Sequence, residues 1–289
     1  MEDHLVIATA AGDSVRIYAA LTTQVVEDAK NIHDTWPTAT AAFGRALTGT
    51  LMMGVMSDNL FRLTITISGN GPLGRILAVS NQRGKVKGEI ANPQVDLDLN
   101  QYGKLDVSGA VGTGQMVVLK DYGLKEPYQG IVPLQNSEIA EDFAYYFTKS
   151  EQTPSAVALG VLVSPDGTVE AAGGLIVQLM PGVGEETIKT IEQKLEKFPG
   201  ITNLLAEGVS PSQLVERMAP GPAKFLDRLP VFYHCDCSWE KFRGPLLSLD
   251  PGELNSILKE QGRVEVQCHF CKQFYYYDTD QLSENAMSK

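Results

Sequence analysis

The chain carries its four cysteines as two close pairs near its C-terminal end. Cys235 and Cys237 form the first pair, thirty residues intervene, and Cys268 and Cys271 form the second. Two such pairs, separated by enough chain to fold back, can surround one tetrahedral metal ion with four thiolates. All four protein positions would then be filled, so a zinc ion held there would not activate water. The spacing predicts one Zn²⁺ per chain in a small C-terminal module.

The chemistry of the cysteine pairs leaves two uses of the site open. Such a site can be a permanent structural staple, but thiolates are also the species that attack oxidants. Cys-x-Cys differs from the Cys-x-x-Cys of most structural zinc ribbons, and a disulfide within it would close a short, strained ring that is readily reduced. His234 and His269 flank the pairs. We interpret them as partly exposed neighbours rather than substitute ligands.

Length, composition and charge narrow the class of protein. The 289 residues are 43% hydrophobic and 20% charged, as in a soluble globular protein with one large domain or two unequal ones. A net charge of -11 argues against a nucleic-acid partner, which requires clustered Lys and Arg. No apolar run approaches a membrane span, and the first residues lack the pattern of a signal peptide. We therefore expect a cytoplasmic protein with no membrane partner, in a compartment that keeps thiols reduced.

The first 180 residues have the pattern of an α+β domain with a mostly antiparallel sheet. Apolar strands alternate with turns, and the most regular alternation spans Phe61–Ile67. A helix to about Met56 is apolar on most faces, which predicts that it is buried. We also predict a strand over Leu105–Val111 and a helix capped by Ser137 that carries Ile139 on its apolar face.

The remaining sequence divides into a linker and the cysteine module. We predict a helical linker region over residues 181–230, with an apolar stripe from Ile188 to Phe198 and a capping box at Ser210. Residues 231–289 predict a zinc-binding module with helices capped by Ser238 and Asp250 and a hairpin with the second cysteine pair at its tip. So small a module needs a staple such as a metal.

Other candidate sites have simpler structural interpretations. Gly69–Gly74 fits the dinucleotide pattern G-x-G-x-x-G, but the residues after it predict a strand rather than the required helix. We interpret the apolar residues around Met52 and Met53, and the linker stripe, as core. His4 and His33 lack candidate catalytic partners. No acid–base or nucleophile constellation stands out, so we expect no enzyme.

Motifs outside the cysteines complete a pattern that covers nearly the whole chain. They are 37–42, 44–49, 69–74, 88–93 and 171–181, with the sequences PTATAA, GRALTG, GNGPLG, GEIANP and AAGGLIVQLMP. Together with the cysteine spacing, they resemble the redox-regulated holdase chaperones of the 33 kDa heat-shock protein family. Holdases bind unfolding proteins and do not act on them as enzymes.

The resemblance implies a switch. The reduced, inactive protein would hold zinc through Cys235, Cys237, Cys268 and Cys271. Oxidants such as hypochlorite, or peroxide with heat, would join Cys268 to Cys271 and Cys235 to Cys237, and zinc would leave. The module and then the linker would unfold, and apolar surface would bind unfolding clients without ATP, with dimerisation. His269 and Trp239 depart from the smaller or more polar residues expected at their positions, but neither departure removes a ligand.

Two alternative functions remain at this point. A zinc-ribbon nucleic-acid-binding protein is disfavoured by the acidic charge of the chain. A thiol–disulfide oxidoreductase using Cys268 and Cys271 would place this motif where a strand meets a helix, rather than at a hairpin tip.

Overall fold

The computed structural model describes residues 1–282. The chain forms two compact units, one spanning Met1–His234 and the other beginning at Cys235. The predicted α+β class is confirmed, with large antiparallel sheets, packed helices and a C-terminal cysteine cluster. The predicted boundaries at residues 180 and 230 stay predictions, and residues 283–289 of the predicted module lie outside the described part of the chain.

The first unit contains eleven described strands and seven described helices. In chain order, they are β1 (His4–Ala10), β2 (Val15–Leu21), α1 (Thr23–His33), α2 (Pro37–Gly54), β3 (Arg62–Gly69), β4 (Arg75–Ser80), β5 (Lys85–Ile90), α3 (Val107–Val111), β6 (Gly114–Asp121), β7 (Tyr128–Pro133), α4 (Ala140–Ser150), β8 (Ser155–Val163), β9 (Val169–Leu179), α5 (Glu185–Glu196), α6 (Ile201–Ala206), α7 (Pro211–Met218), β10 (Lys224–Pro230) and β11 (Phe232–Tyr233). The second unit contains α8 (Trp239–Leu247), α9 (Pro251–Gln261), β12 (Val264–Gln267), β13 (Phe274–Tyr277) and α10 (Thr279–Leu282).

Two sheets form the frame of the first unit. Sheet A has the order β10-β1-β2-β9-β8, and sheet B has the order β11-β5-β4-β3-β6-β7. Neighbouring strands are antiparallel except β11, which lies parallel to β5. His4 pairs with both Leu21 and Pro230, so β1 lies between a neighbour close in sequence and one more than two hundred residues away.

Helix α2 lies in the central core, packed against strands of both sheets. It is buried along almost its whole length, which confirms the prediction drawn from its apolar composition. The helix begins at Pro37, with Trp36 as its N-cap. The central core is the buried cluster that includes Leu5, Tyr18, Phe43, Leu47, Met52, Ile65, Phe143 and Ile176.

The opposite face of sheet A is covered by helices α5, α6 and α7. We call this the outer layer, a separate buried cluster that includes Val6, Ala8, Ile17, Ala19, Leu175, Val177, Ile191, Ile201, Leu204, Leu214, Val215 and Met218. The amphipathic helices predicted here are confirmed, as is the capping box in which Ser210 and Gln213 bond reciprocally. Sheet A is therefore apolar on both faces, which is typical of a sheet covered by helices on both sides.

Two glycines allow the helices to approach sheet A closely on its two faces. A Cβ atom on Gly160 would lie 2.6 Å from the Cγ2 atoms of Ile201 and Thr202 in α6. One on Gly174 would lie 2.6 Å from the sulfur of Met52 in α2. Each glycine thus sets the spacing between sheet A and one of its two helical covers.

The helical interpretation of residues 181–230 was wrong at its C-terminal end. Lys224–Pro230 forms strand β10, which pairs antiparallel with β1 at the edge of sheet A. The side chains of β10 are mostly exposed, and Phe225 and Leu226 are among them. A strand is predicted from apolar residues at alternate positions, and an edge strand with solvated side chains lacks this alternation.

The strand predicted over Leu105–Val111 was also wrong. Val107–Val111 is the short helix α3, and the Asp106 carboxylate caps it by accepting a hydrogen bond from the N–H of Gly109 at 2.9 Å. The cap and the burial of Val107 and Val111 in the central core together favour a helix over the strand preference of the valines. Strand β7 (Tyr128–Pro133) was not predicted, because its buried positions are Gly130 and Val132 while Tyr128 and Ile131 are exposed, so its sequence lacks an apolar alternation.

Helix α4 was placed correctly, but its cap was not. The helix begins at Ala140, and the hydroxyl of Ser137 donates a hydrogen bond to the carbonyl of Gly112 instead. The Asp142 carboxylate accepts from the backbone N–H groups of Ile139 and Gln135, which turns the chain into the helix. Ile139 is buried but precedes the helix with φ of 75°.

The second unit has a small core of its own. It contains the buried side chains of Leu254, Leu258, Val264, Tyr277 and Leu282. Side-chain oxygens of Ser238 and Asp250 cap α8 and α9, and β12 pairs with β13 as predicted. No helix within residues 1–282 is long and apolar enough to cross a membrane.

Candidate metal centre

The four cysteines belong to two segments of the second unit. Cys235 and Cys237 lie in the irregular segment just before α8, and Cys268 and Cys271 lie in the turn between β12 and β13. Two backbone hydrogen bonds close this turn: Cys268 N–H donates to the carbonyl of Gln273 at 2.9 Å, and Lys272 N–H donates to the carbonyl of Cys268 at 2.8 Å. The predicted hairpin tip is confirmed. The turn joins two strands, so it lacks the strand-to-helix junction of a thioredoxin-like active site.

The four sulfur atoms form a compact cluster. All four Sγ atoms lie within 4.8 Å of one another. The distances across the two pairs are 3.7 Å from Cys235 to Cys268 and 3.3 Å from Cys237 to Cys271. In a tetrahedral site with Zn–S bonds of about 2.3 Å, ligand sulfurs lie about 3.8 Å apart. The four side chains could therefore hold one metal ion, and their all-sulfur set is consistent with zinc.

Neither flanking histidine belongs to this cluster. Within residues 1–282, the histidine, cysteine and acidic side chains that come close enough to share an ion are these four cysteines. His234 and His269 are exposed. Cys268 is the buried member of the cluster, and the other three cysteines are half-buried.

Burial and hydrogen bonding act differently on the individual thiols. Burial raises the pKa of Cys235 far above its ordinary value, although a bond from the N–H of Cys237 opposes this. Burial also raises the pKa of Cys271, to about 11. At Cys237 burial acts in the same direction, but hydrogen bonds from Tyr275 and the other thiols outweigh it and leave the pKa lowered. Burial therefore opposes ionisation of Cys235 and Cys271, and a cation that binds here must displace their protons.

Tyr275 is a neighbour of the cluster that sequence reasoning missed. Its hydroxyl oxygen lies 3.1 Å from the Cys237 sulfur and 3.3 Å from Oε1 of Gln273. The hydrogen bond with Cys237, followed by burial, raises the pKa of Tyr275. The available sequence signal was its place at an alternate position of the strand that follows the last cysteine.

Aromatic contacts connect the segments that carry the two cysteine pairs. The Trp239 ring stacks on Tyr277 with centroids 4.8 Å apart, and the Tyr277 hydroxyl donates to the carbonyl of Trp239 at 2.7 Å. The indole N–H of Trp239 donates to the carbonyl of Tyr276. The unexpected tryptophan after the first cysteine pair therefore ties α8 to β13.

Comparison with protein families identifies a match across almost the whole chain. Residues 3–278 match the family model described as Hsp33 protein. The 33 kDa chaperonin of Geobacillus kaustophilus (strain HTA426) is 48% identical over 286 residues, covering 98% of this chain and 97% of that protein. The 33 kDa chaperonin of Bacillus subtilis (strain 168) is 45% identical over 281 residues, with 97% of each chain covered.

A solved structure has the same fold. The crystal structure of the 33 kDa chaperonin (heat shock protein 33 homolog) from Thermotoga maritima superposes with a TM-score of 0.90 at 38% identity. The match covers 98% of this chain and 97% of that one.

Proposed function

This chain belongs to the Hsp33 family, which supports a chaperone role, and from that premise we propose that it is a redox-regulated, ATP-independent holdase. In this proposal, the reduced protein holds one Zn²⁺ through Cys235, Cys237, Cys268 and Cys271 and is inactive. Oxidation converts the four thiolates into disulfides, and the protein then binds unfolding clients. We propose that it acts by binding rather than by enzymatic turnover, as a homodimer in the cytoplasm, without nucleic-acid or membrane partners.

The observation that supports this proposal best is the geometry of the sulfur cluster. Two segments more than thirty residues apart place four sulfurs within the span of one ion, in a unit whose buried core includes only a few side chains. A bound zinc ion would supply about 10–16 kcal/mol of apparent binding free energy, which in a small unit is also folding free energy. Whole domains have only about 5–15 kcal/mol of stability. Loss of the ligand set would therefore unfold the second unit.

The proposed oxidation uses the cysteines that are neighbours in sequence. One thiolate attacks a peroxide oxygen, the O–O bond breaks and hydroxide leaves, which gives a sulfenic acid. The paired thiolate then attacks that sulfur and displaces a second hydroxide, so that the formation of each disulfide transfers two electrons from two thiolates to one peroxide. We propose the pairs Cys235–Cys237 and Cys268–Cys271. Forming either disulfide removes two of the four ligands.

The outer layer supports a client-binding surface within the first unit. Helices α5, α6 and α7 are short, and half-buried Leu195 and Phe198 pack against the layer. Beneath these helices, strands β1, β2 and β9 present a continuous apolar face. If α5, α6 and α7 separated from sheet A, the apolar faces of the helices and of the sheet would both become exposed. Unfolding proteins could then bind them by burying nonpolar area, which requires no ATP.

One experiment tests the switch. Purified reduced protein is assayed for zinc per chain, treated with peroxide at raised temperature, and followed for metal release and for suppression of light scattering by a heat-unfolded client. We expect one zinc per chain, and client holding that rises as the metal is released and falls again after reduction. Cys268→Ser should bind less zinc and hold the client without oxidant. Equal suppression of scattering by the reduced, zinc-loaded protein would refute the switch.

A further inference from the structure

We propose that Tyr275 is a positioning residue of the sulfur cluster. Its hydroxyl donates a hydrogen bond to the Cys237 sulfur and thereby sets how tightly the cluster holds zinc and how fast it reacts with oxidant. This inference rests on the proposed function, because it concerns the same four thiolates. It adds a group that is not itself a ligand and that distinguishes one of them from the others.

The position of the Tyr275 hydroxyl is fixed by regular structure. Tyr275 lies in β13 and pairs with Val266 of β12. Its ring packs against Phe242 of α8 with centroids 5.1 Å apart and joins the small core of the second unit. Strand pairing and packing against α8 therefore hold the Tyr275 side chain in place, with its hydroxyl 3.1 Å from the Cys237 sulfur.

The charge of the metal-binding state sets the direction of this hydrogen bond. A thiolate has no proton, so the hydroxyl must donate when Cys237 is ionised. The hydroxyl has a second acceptor, Oε1 of Gln273 at 3.3 Å, but an ionised acceptor forms the stronger bond. When Cys237 loses its charge in a disulfide, the hydroxyl can turn to Gln273. The contact thus favours the thiolate state over the oxidised state.

The Tyr275 contact makes the four sulfurs unequal. Cys235 accepts a bond from the backbone N–H of Cys237, and Cys271 accepts one from the N–H of Gln273. Cys237 instead accepts a side-chain hydroxyl, which a single substitution can remove. A hydrogen bond withdraws electron density from sulfur, and a thiolate with less charge is a weaker nucleophile. Loss of the donor should therefore speed the reaction of Cys237 with an oxidant. It should also weaken metal binding, because the thiolate that the metal requires loses a charge-assisted hydrogen bond.

The run Tyr275–Tyr276–Tyr277 supplies matched controls. Tyr276 is exposed on the opposite face of β13, where its ring stacks on Phe274 and lies beneath Arg263. Tyr277 is buried, and its hydroxyl bonds to the carbonyl of Trp239. Each of three substitutions removes one tyrosine hydroxyl: Y275F beside the sulfur cluster, Y276F on the surface and Y277F in the core of the second unit.

The test compares the three variants in the full chain. Without oxidant, zinc transfer to a chromogenic chelator measures affinity, and cobalt(II) in place of zinc reports the sulfur-to-metal charge-transfer band. With peroxide, the rate of zinc release measures reactivity. We expect Y275F to lose about 10–100-fold in zinc affinity, as outer partners of metal ligands typically do, to shift the cobalt band, and to release zinc faster. Y276F should match the wild type, whereas Y277F should lower the thermal stability of the unit and leave the cobalt band in place.

The outcomes separate this inference from the proposed function. Wild-type affinity, cobalt band and release rate in Y275F would overturn the role of Tyr275, even if the wild-type protein still released zinc on oxidation. An equal shift of the cobalt band in Y277F would also overturn it, because the effect would then be structural. A wild-type protein that kept its zinc under peroxide would refute the proposed switch, while the chelator and cobalt measurements would still test the hydroxyl.

Discussion

The two faces of sheet A are both apolar, but they are covered in different ways. On one face, the 18-residue helix α2 lies among strands of both sheets in the central core. On the other, three helices of 12, 6 and 8 residues form the outer layer. The same strands supply both faces, since Leu5 and Tyr18 enter the central core while Val6 and Ile17 enter the outer layer.

Under the proposed function, this difference would let one sheet keep a lasting core on one face and release its cover on the other. Short helices are marginal alone and depend on packing for their stability. The outer layer should therefore open at a lower free energy than the central core, as local units of a protein often do. Matched substitutions on the two faces of sheet A distinguish these two covers.

The largest expected difference is between two leucine truncations. Leu214 of α7 and Leu47 of α2 are both buried, one in each cluster. Either change to Ala should cost about 2–5 kcal/mol. Leu214→Ala should accelerate hydrogen exchange mainly in α5, α6 and α7 and raise client holding by the reduced protein. Leu47→Ala should lower the global unfolding midpoint in urea. If both variants exposed the same segments to exchange, the two faces would form one cooperative unit and the comparison would fail.

A smaller effect is expected from the buried carboxylate at the start of the central core. Asp3 accepts a hydrogen bond from the N–H of Val25 at 2.8 Å, at the first turn of α1, and burial raises its pKa from 3.8 to about 6. The stability that this shift contributes is complete below pH 3.8 and is lost as the pH rises through about 6.

Asp3→Asn keeps an acceptor but does not titrate. The stability of this variant relative to wild type should therefore rise between pH 4 and pH 7, by up to about 3 kcal/mol. Urea unfolding at the two pH values measures the difference. A constant difference would show that Asp3 does not titrate with folding. We expect exchange in the outer layer to be unaffected.

The smallest effect compares two glycines that face opposite covers. Gly160→Ala would press on Ile201 and Thr202 in α6, and Gly174→Ala would press on Met52 in α2. Overpacking of this kind costs about 1–3 kcal/mol. Gly160→Ala should speed exchange in α6 and increase client holding before oxidation, whereas Gly174→Ala should lower only the global midpoint. Equal client holding by the two reduced variants would contradict a removable outer layer.

Local patterns in the sequence predicted the parts of the fold that local forces determine. The alternation in β3 and the apolar composition of α2 have direct counterparts in burial. Strand β10 could not be found in this way, because its pairing with β1 joins residues more than two hundred positions apart and its side chains are exposed. The helix α3 is capped by the Asp106 carboxylate and buries Val107 and Val111 in the central core, and this tertiary burial is not visible in local propensity.

In the candidate site, too, the sequence predicted one part and missed another. Cysteine spacing predicted four residues that the structure brings together, since sulfurs that share an ion must return to one point in space. Tyr275 carries no such signal. Its relation to Cys237 depends on the register of β12 with β13 and on the packing of Phe242, neither of which is encoded by spacing.

The edge position of β10 has a consequence for how the first unit could return to its resting form. Because β10 has β1 on one side only, its departure would leave the other four strands of sheet A bonded to one another. The β1 backbone would then serve as a template, and the irregular register between Ile7 and Ala8 would favour reannealing at a single alignment. Until then, its unpaired amides and carbonyls would be open to any extended peptide. If the proposed switch operates, its reversal would therefore be a competition between β10 and any peptide bound at that edge.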